Sequence, residues 1–432
     1  MRRALAPLVI LLLAGCAGTN QPQTSATTNA TTTATTTATT TATTTATTTA
    51  TTTSASGIYS SSAGPVPVGA IPNAVLHDAQ RNKDVEMVIE YPTRGGPHPI
   101  IIFSHGYGGS KNGYVALTEY WTSNGFVCIK PSHADAGALA AAAREAIPPP
   151  APPKERKGRA EERRERVQAA VAAVVVEAEN VWKSQTEADW RNRVRDITLI
   201  IDSLDALEDK YPELRGKMDH TRIGVGGHSY GAFTAMQIAG MKTIQNGSPL
   251  KIGDARVKAC VVMSPQGIGT VPGLTADSWL DVKIPMLYMT GTLDRTAGSE
   301  GYERRRDAFI NSPAGDKYFI LIEGARHMSF TGSFGITADE PRRTNTTGTL
   351  PPGTYPRDPR DPYYDPMQPM PTPSPRGNGS EYLRERNIFN IVKVSTLAFW
   401  DAYLKSNPRG TEFLKGPGLR QRVGTTGSVE TK

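Results

Sequence analysis

The run Arg222-Ile223-Gly224-Val225-Gly226-Gly227-His228-Ser229-Tyr230-Gly231 reads as a short β-strand, a tight turn and the first turn of a helix. The strand is predicted over Arg222–Gly226 and the helix over Gly231–Ala239. Between them stands Gly227-His228-Ser229-Tyr230-Gly231, a Gly-x-Ser-x-Gly turn. Small residues at both ends let the backbone bend sharply without striking its neighbours, and the serine hydroxyl then projects above the sheet. Ser229 is therefore the candidate nucleophile. The bare motif is common by chance; the strand before it and the helix after it give it weight.

A serine hydroxyl attacks only when a base removes its proton, and in this strand–turn–helix setting the base follows the serine in the chain. Of seven histidines, at positions 77, 98, 105, 133, 220, 228 and 327, only His327 lies downstream of Ser229. The third group is a carboxylate that orients the imidazole. Asp294 follows the apolar run Met286–Met289, where ligand-facing groups of open α/β sheets gather. Asp254, Asp277 and Asp281 precede a strand, Glu303 and Asp307 lie in or beside the next helix, and Asp316 and Glu323 flank the histidine's own strand. Glu300, beside that same helix, is the second choice after Asp294. For the oxyanion, the backbone N–H of Tyr230 and one from the loop His105-Gly106-Tyr107-Gly108-Gly109, namely Tyr107, are the candidate donors. His105 reads as a brace for that loop and His228 as a packing residue of the turn.

Outward from this centre, strands are predicted at Val85–Tyr91, Ile100–Ser104, Phe126–Pro131, Val257–Met263, Met286–Met289 and Tyr318–Ile322. Helices are predicted at Tyr114–Ser123, Ala188–Leu207, Tyr302–Ile310 and Asn387–Leu404. In the second helix Val194, Ile197, Ile201, Leu204 and Leu207 recur three or four apart, one apolar face. Near-continuous apolar strands alternating with helices imply an α/β domain, a mostly parallel sheet with helices on both faces. The domain is expected over 65–410, with residues 411–432 as a flexible tail. Two stretches break the rhythm. Residues 134–187 carry a Pro-rich knot, a charged run and an apolar helical stripe, which reads equally as a lid insertion or as a helix on the domain flank. Residues 331–380 read as a long Pro-rich loop. Cys128 and Cys260 fall in strands not expected to be neighbours and are read as free core thiols, and the five tryptophans as core or lid packing.

The blocks Phe103–Gly109, Arg193-Val194-Arg195-Asp196-Ile197, Gly227–Gly231 and Gly291-Thr292-Leu293-Asp294 resemble the α/β-hydrolase superfamily over about residues 75–405. Within it they are similar to bacterial predicted dienelactone hydrolases and platelet-activating-factor acetylhydrolases, and to polyester-cleaving cutinase-like enzymes. Lys130-Pro131-Ser132-His133 stands where the acetylhydrolase branch carries a His-containing loop. The resemblance implies carboxylic-ester hydrolysis with no metal or organic cofactor. Dienelactone hydrolases use a cysteine nucleophile where this chain has serine, so that name does not fix the substrate. Short-chain or acetyl esters, lipid-like esters and polyesters all stay open. So do a peptidase or amidase on the same triad and a non-catalytic envelope binding protein with the same fold.

Composition excludes several other classes. A net charge of +7 over 432 residues, with no zinc-finger, basic-zipper or RNA-platform pattern, argues against nucleic acid as a partner. Three cysteines exclude a disulfide scaffold and a four-thiolate metal site. No apolar run beyond the N-terminus approaches the ~20 residues that span a bilayer. Met1-Arg2-Arg3, the apolar run Ala4–Ala14 and Leu13-Ala14-Gly15-Cys16 resemble a bacterial lipoprotein signal peptide (1–15), with Cys16 lipidated. Ala17 after the cysteine points, by the same resemblance, to the outer membrane or cell surface. Residues 16–64 hold a period-four Ala-Thr-Thr-Thr repeat that cannot bury a core, so a disordered tether is expected. The whole reads as an exported monomer attached to a membrane by its lipid anchor.

Overall fold

The computed structural model describes residues 59–138, 141, 186–245, 247–295, 301–332 and 379–432. The signal peptide, Cys16, the Thr/Ala repeat, Glu300 and nearly all of the two insertions at 134–187 and 331–380 lie outside the described residues.

The N-terminal half supplies strands β1 (Val68–Asp78), β2 (Lys83–Pro92), β3 (His98–Ser104), β4 (Val127–Pro131) and β5 (Met218–His228). A small hairpin, β6 (Thr243–Gln245) and β7 (Ser248–Leu250), precedes β8 (Val257–Met263), β9 (Met286–Leu293), β10 (Lys317–Arg326) and β11 (Gly427–Thr431). The nine strands other than the hairpin form one sheet in the order β1-β2-β4-β3-β5-β8-β9-β10-β11. The six central strands from β4 to β10 are parallel to one another; β1, β2 and β11 pair antiparallel at the two ends. Helices α1 (Val115–Ser123), α2 (Glu187–Asp202), α3 (Leu204–Lys210), α4 (Tyr230–Ile238), α5 (Glu303–Asn311), α6 (Gly379–Leu404), α7 (Pro408–Lys415) and α8 (Gly418–Val423) cover it.

Period-two alternation explains why β3 is apolar throughout. Ile100 and Ile102 enter the core beneath α2 and α4, while Ile101 and Phe103 enter the core beneath α1 and α6. A strand covered on both faces needs no polar side, and that yields the continuous apolar run read in the sequence. Cys128 and Cys260 are buried free thiols on β4 and β8, with two strands between them. Each thiol is pushed up in pKa by burial.

Three boundaries differ from expectation. The helix predicted over Ala188–Leu207 is two helices that meet at Ser203, whose ψ of 16° leaves the helical range. Residues 59–64, ahead of the start expected at 65, are already bonded to the folded body. Tyr120 donates to the Ser60 carbonyl (2.7 Å), Tyr59 to Asp401 (3.1 Å), and Gly64 N–H to Ser123 Oγ (2.8 Å).

The flexible tail expected at 411–432 is instead part of the sheet and core. Phe413, Leu414, Leu419 and Val423 are buried beneath α6, and β11 adds an edge strand to β10 in the register Tyr318↔Thr431 to Ile322↔Gly427. Backbone hydrogen bonds to the neighbouring strand hold β11, so its side chains carry little hydrophobic signal. Among the described residues, no helix is long and apolar enough to cross a membrane.

Candidate active site

The turn between β5 and α4 is held in a conformation that few residues adopt. Ser229 has φ 56° and ψ −119°, and its N–H donates to the Met263 carbonyl at 2.9 Å. A non-glycine residue there costs about 1–3 kcal/mol, which the surrounding structure must over-determine. The flanking glycines show how. A Cβ on Gly227 would sit 2.2 Å from the Gly231 carbonyl oxygen, and a Cβ on Gly231 would sit 1.9 Å from that of Ser104. Only hydrogen fits at either place, so α4 packs directly on the end of β3.

Asp294 lies just past β9 and is fully buried. Its Oδ1 meets His327 Nδ1 at 2.9 Å, and its Oδ2 accepts from Ser264 Oγ (2.6 Å) and Thr290 Oγ1 (2.8 Å). Arg305, on α5, adds its Nε at 3.0 Å from Oδ1. Burial alone would raise the Asp294 pKa. The Arg305 charge, His327 and the Ser264 hydroxyl outweigh that and hold the carboxyl well below the usual range. It is ionised, and an ionised acceptor on Nδ1 leaves Nε2 of His327 as the basic nitrogen.

Of the sequence-predicted trio, Asp294 and His327 are therefore joined directly. Ser229 reaches His327 through its neighbour. His228 Nε2 donates to the His327 carbonyl at 2.8 Å, and the two imidazoles lie 4.6 Å apart. Because Nε2 of His228 is the donor, its Nδ1 accepts, and it does so from Tyr114 Oη at 2.9 Å. Tyr114 Oη in turn accepts from the Gly106 N–H at 3.2 Å. This relay ties the Ser229 turn, the His327 turn and the loop after β3 to one another. Burial first, and the His327 ring second, hold His228 neutral, with its pKa lowered well below the ordinary value.

Tyr107 and Tyr230, the candidate oxyanion donors, sit on the loop after β3 and at the first residue of α4; their rings are 6.4 Å apart. The loop carrying Tyr107 is built from below by groups whose role the sequence reading did not find. Arg193 of α2 donates to the carbonyls of His105 (2.8 Å) and Gly106 (3.4 Å) and pairs with Asp135 at 2.7 Å. Asp135 accepts from the Gly108 N–H at 2.9 Å. A second buried chain runs Ser104 Oγ to His133 Nε2 (2.9 Å) and His133 Nδ1 to Asp196 (2.9 Å). It has the residue types of a catalytic triad, but every member is sealed from solvent, so it braces the ends of β3 and β4. His105 is the brace the sequence suggested: its Nε2 accepts from the His133 N–H at 3.1 Å. Burial, then Arg193 and His133, lower its pKa to about 3. The missed signal is in α2, where Arg193 and Asp196 lie on the face that the apolar periodicity marks as buried.

Among the described residues no group of three or more His, Cys, Asp or Glu side chains is arranged to hold a metal ion. Residues 74–253 match the family model of platelet-activating factor acetylhydrolase, isoform II. The matched span holds Ser229, Arg193 and the loop after β3, and ends before Asp294 and His327. No curated protein matches the chain. The sheet order, the strained serine turn and this match together give the architecture its name: the chain has an α/β-hydrolase fold, similar over residues 74–253 to the platelet-activating-factor acetylhydrolases.

Proposed function

We propose that the protein is a serine esterase that cleaves carboxylic esters through an acyl-enzyme. The match over residues 74–253 to a family named for an acetylhydrolase supports ester hydrolysis by a serine. The observation that carries the reading is the hydrogen bond of Asp294 to His327 Nδ1 at 2.9 Å, at the sheet edge where Ser229 is held at positive φ.

Ser229 Oγ attacks the ester carbonyl as His327 Nε2 takes its proton. Asp294 keeps the imidazole in the required tautomer and stabilises its charged form. The backbone N–H groups of Tyr107 and Tyr230 receive the oxyanion. His327 then returns the proton to the leaving alcohol, and water, activated by the same base, releases the acid. Hydrogen bonds between nucleophile and base are commonly long without substrate and close in the Michaelis complex. Short-chain or acetyl esters are the proposed substrates, with lipid-like esters and polyesters as the wider range. Lipidation of Cys16 and attachment at the cell envelope are proposed on the Leu13-Ala14-Gly15-Cys16 segment.

The test is turnover of p-nitrophenyl esters of increasing chain length by the wild type and Ser229→Ala. Wild-type turnover lost in a folded Ser229→Ala supports the reading, and activity that survives the substitution rejects it. Matched amide substrates separate an esterase from an amidase. A fluorophosphonate that fails to label Ser229 in folded protein favours a binding role. Loss of membrane partitioning in Cys16→Ala tests the anchor.

A further inference from the structure

Tyr114 stands where the local backbone gives a tyrosine no reason to be. It is the residue before α1, at φ 60° and ψ 20°, and its side chain makes no capping bond to that helix. Helix starts favour Ser, Thr, Asp or Asn, and a bulky side chain at positive φ is a strained exception. Such strain persists only where tertiary contacts over-determine it, so the reason for Tyr114 lies in what its phenol touches.

The phenol is buried between two catalytic loops. Its oxygen accepts from the Gly106 N–H (3.2 Å) and donates to His228 Nδ1 (2.9 Å), and His228 Nε2 donates to the His327 carbonyl (2.8 Å). The direction of each bond is fixed. A backbone carbonyl only accepts, so Nε2 of His228 carries the proton, and in the neutral ring Nδ1 is then the acceptor. A backbone N–H only donates, so the tyrosine oxygen accepts from Gly106 and turns its own proton to Nδ1. Phenylalanine would fill the same space, since the ring packs on Phe103 at 4.8 Å and on His228 at 5.8 Å. What tyrosine adds is an oxygen that accepts on one side and donates on the other.

These bonds join groups that no strand pairing aligns. Gly106 precedes Tyr107 on the loop after β3, whereas His327 follows β10, and β5, β8 and β9 lie between those two strands in the sheet. An ester carbonyl must meet the oxyanion donors and the base at once, so the spacing of the two loops bears on the transition state more than on binding. We infer that Tyr114 is a positioning residue that, through His228, holds the His327 turn at a fixed distance from the loop carrying Tyr107. The inference rests on the esterase reading above.

The experiment measures kcat and KM for p-nitrophenyl acetate, with thermal melts, in the wild type, Tyr114→Phe, His228→Leu and the double variant. It also records the nitrogen NMR signals of the histidine rings in the wild type. Tyr114→Phe is expected to lower kcat by about 10- to 100-fold with KM little changed, the size of effect that a displacement of about 1 Å at the reacting groups produces. His228→Leu breaks the same path at its other end, and the double variant should lose little more than the larger single loss, because residues that act through one another are not additive. His228 should show a ring protonated at Nε2 alone. Wild-type kcat in folded Tyr114→Phe, a loss carried by KM, additive losses in the double variant, or His228 protonated at Nδ1 overturns the inference. The tautomer is read on the native protein, so it decides even where a substitution prevents folding. Ser229→Ala run alongside separates the two readings. If it stays active, the esterase reading and this inference fall together; if it is dead and Tyr114→Phe turns over like the wild type, this inference falls alone.

Discussion

The guanidinium of Arg193 lies 3.9 Å over the ring of Tyr230 while it donates to the His105 carbonyl at 2.8 Å. One side chain thus touches the two segments that carry the candidate oxyanion donors, the first turn of α4 and the loop after β3. Their separation is set by a rigid fork rather than by the mobility of a glycine-rich loop. Asp135 completes the clamp. Its carboxylate pairs with Arg193 and accepts from Gly108. Burial would raise its pKa, but the Arg193 guanidinium outweighs that and holds it well below the ordinary value.

Arg193→Met is therefore expected to lower kcat by up to about 100- to 1000-fold, the range seen when an oxyanion donor is lost, with a smaller change in KM. It also leaves Asp135 without its cation, which costs roughly 3–5 kcal/mol for a buried pair. Steady-state kinetics with a thermal melt separates the two losses, and Arg193→Met/Asp135→Asn should recover stability without recovering kcat. Recovery of both would place Arg193 outside the oxyanion geometry.

Asp294→Asn should reduce kcat by about 10⁴-fold, because an amide favours the wrong imidazole tautomer. Glu300→Gln, a change at the rival carboxylate, should leave kcat/KM within about twofold, a difference of ~0.4 kcal/mol in transition-state stabilisation. The reverse pattern would transfer the role to Glu300.

Gly231→Ala is expected to disrupt the fold at the site itself, since its Cβ would overlap the Ser104 carbonyl oxygen at 1.9 Å. The backbone must move, at a cost of typically 1–3 kcal/mol or more for overpacking, and the end of β3 moves with it. A lower melting temperature accompanied by loss of Ser229 labelling is the expected result. Wild-type labelling in the variant would show that the turn tolerates a methyl group.

Acid should unfold the protein sooner than its carboxylates alone would require. His105, His133 and His228 are buried, and burial, the largest cause for each, lowers their pKa in the folded state. Unfolding below pH ~6.5 lets each take up a proton that the folded chain refuses. Stability is fully present above that pH and falls as pH drops toward the folded values, by roughly 1.4 kcal/mol per pH unit for each histidine still neutral. Urea unfolding at pH 7, 6 and 5 reads the slope, and His105→Gln should reduce it. A flat profile between pH 7 and 5 would contradict the picture.

Removal of residues 411–432 should give an insoluble or unfolded protein. It strips α8 and β11 from the sheet and takes away Phe413, Leu414, Leu419 and Val423, each worth about 1.5–3 kcal/mol when buried. A soluble, active truncation would return the segment to the status of a dispensable tail.

Much of this molecule could be read from its residues. The strand–turn–helix around Ser229, the strands Ile100–Ser104 and Val257–Met263, and the pairing of Asp294 with His327 all followed from local pattern and chain order. The strand β11 did not, because an edge strand held by backbone hydrogen bonds needs no apolar stripe. Nor did β1, whose alternation is weak and broken by a bulge between Ile71 and Ala74. The break at Ser203 escaped for another reason: the apolar face continues through it, so periodicity sees one helix where the backbone makes two.

The amino-acid chain determined which groups were available and the order in which they occur, because motif chemistry and alternating hydrophobicity are properties of neighbouring residues. What only the tertiary structure decided is the company each group keeps. Arg193 and Asp135 are 58 positions apart, and Arg305 and Asp294 are drawn from different elements, yet each pair meets where at least one partner is almost wholly buried. Charge acts through distance and dielectric, and both are set by how the sheet, helices and loops pack, so these partnerships leave no mark on local sequence.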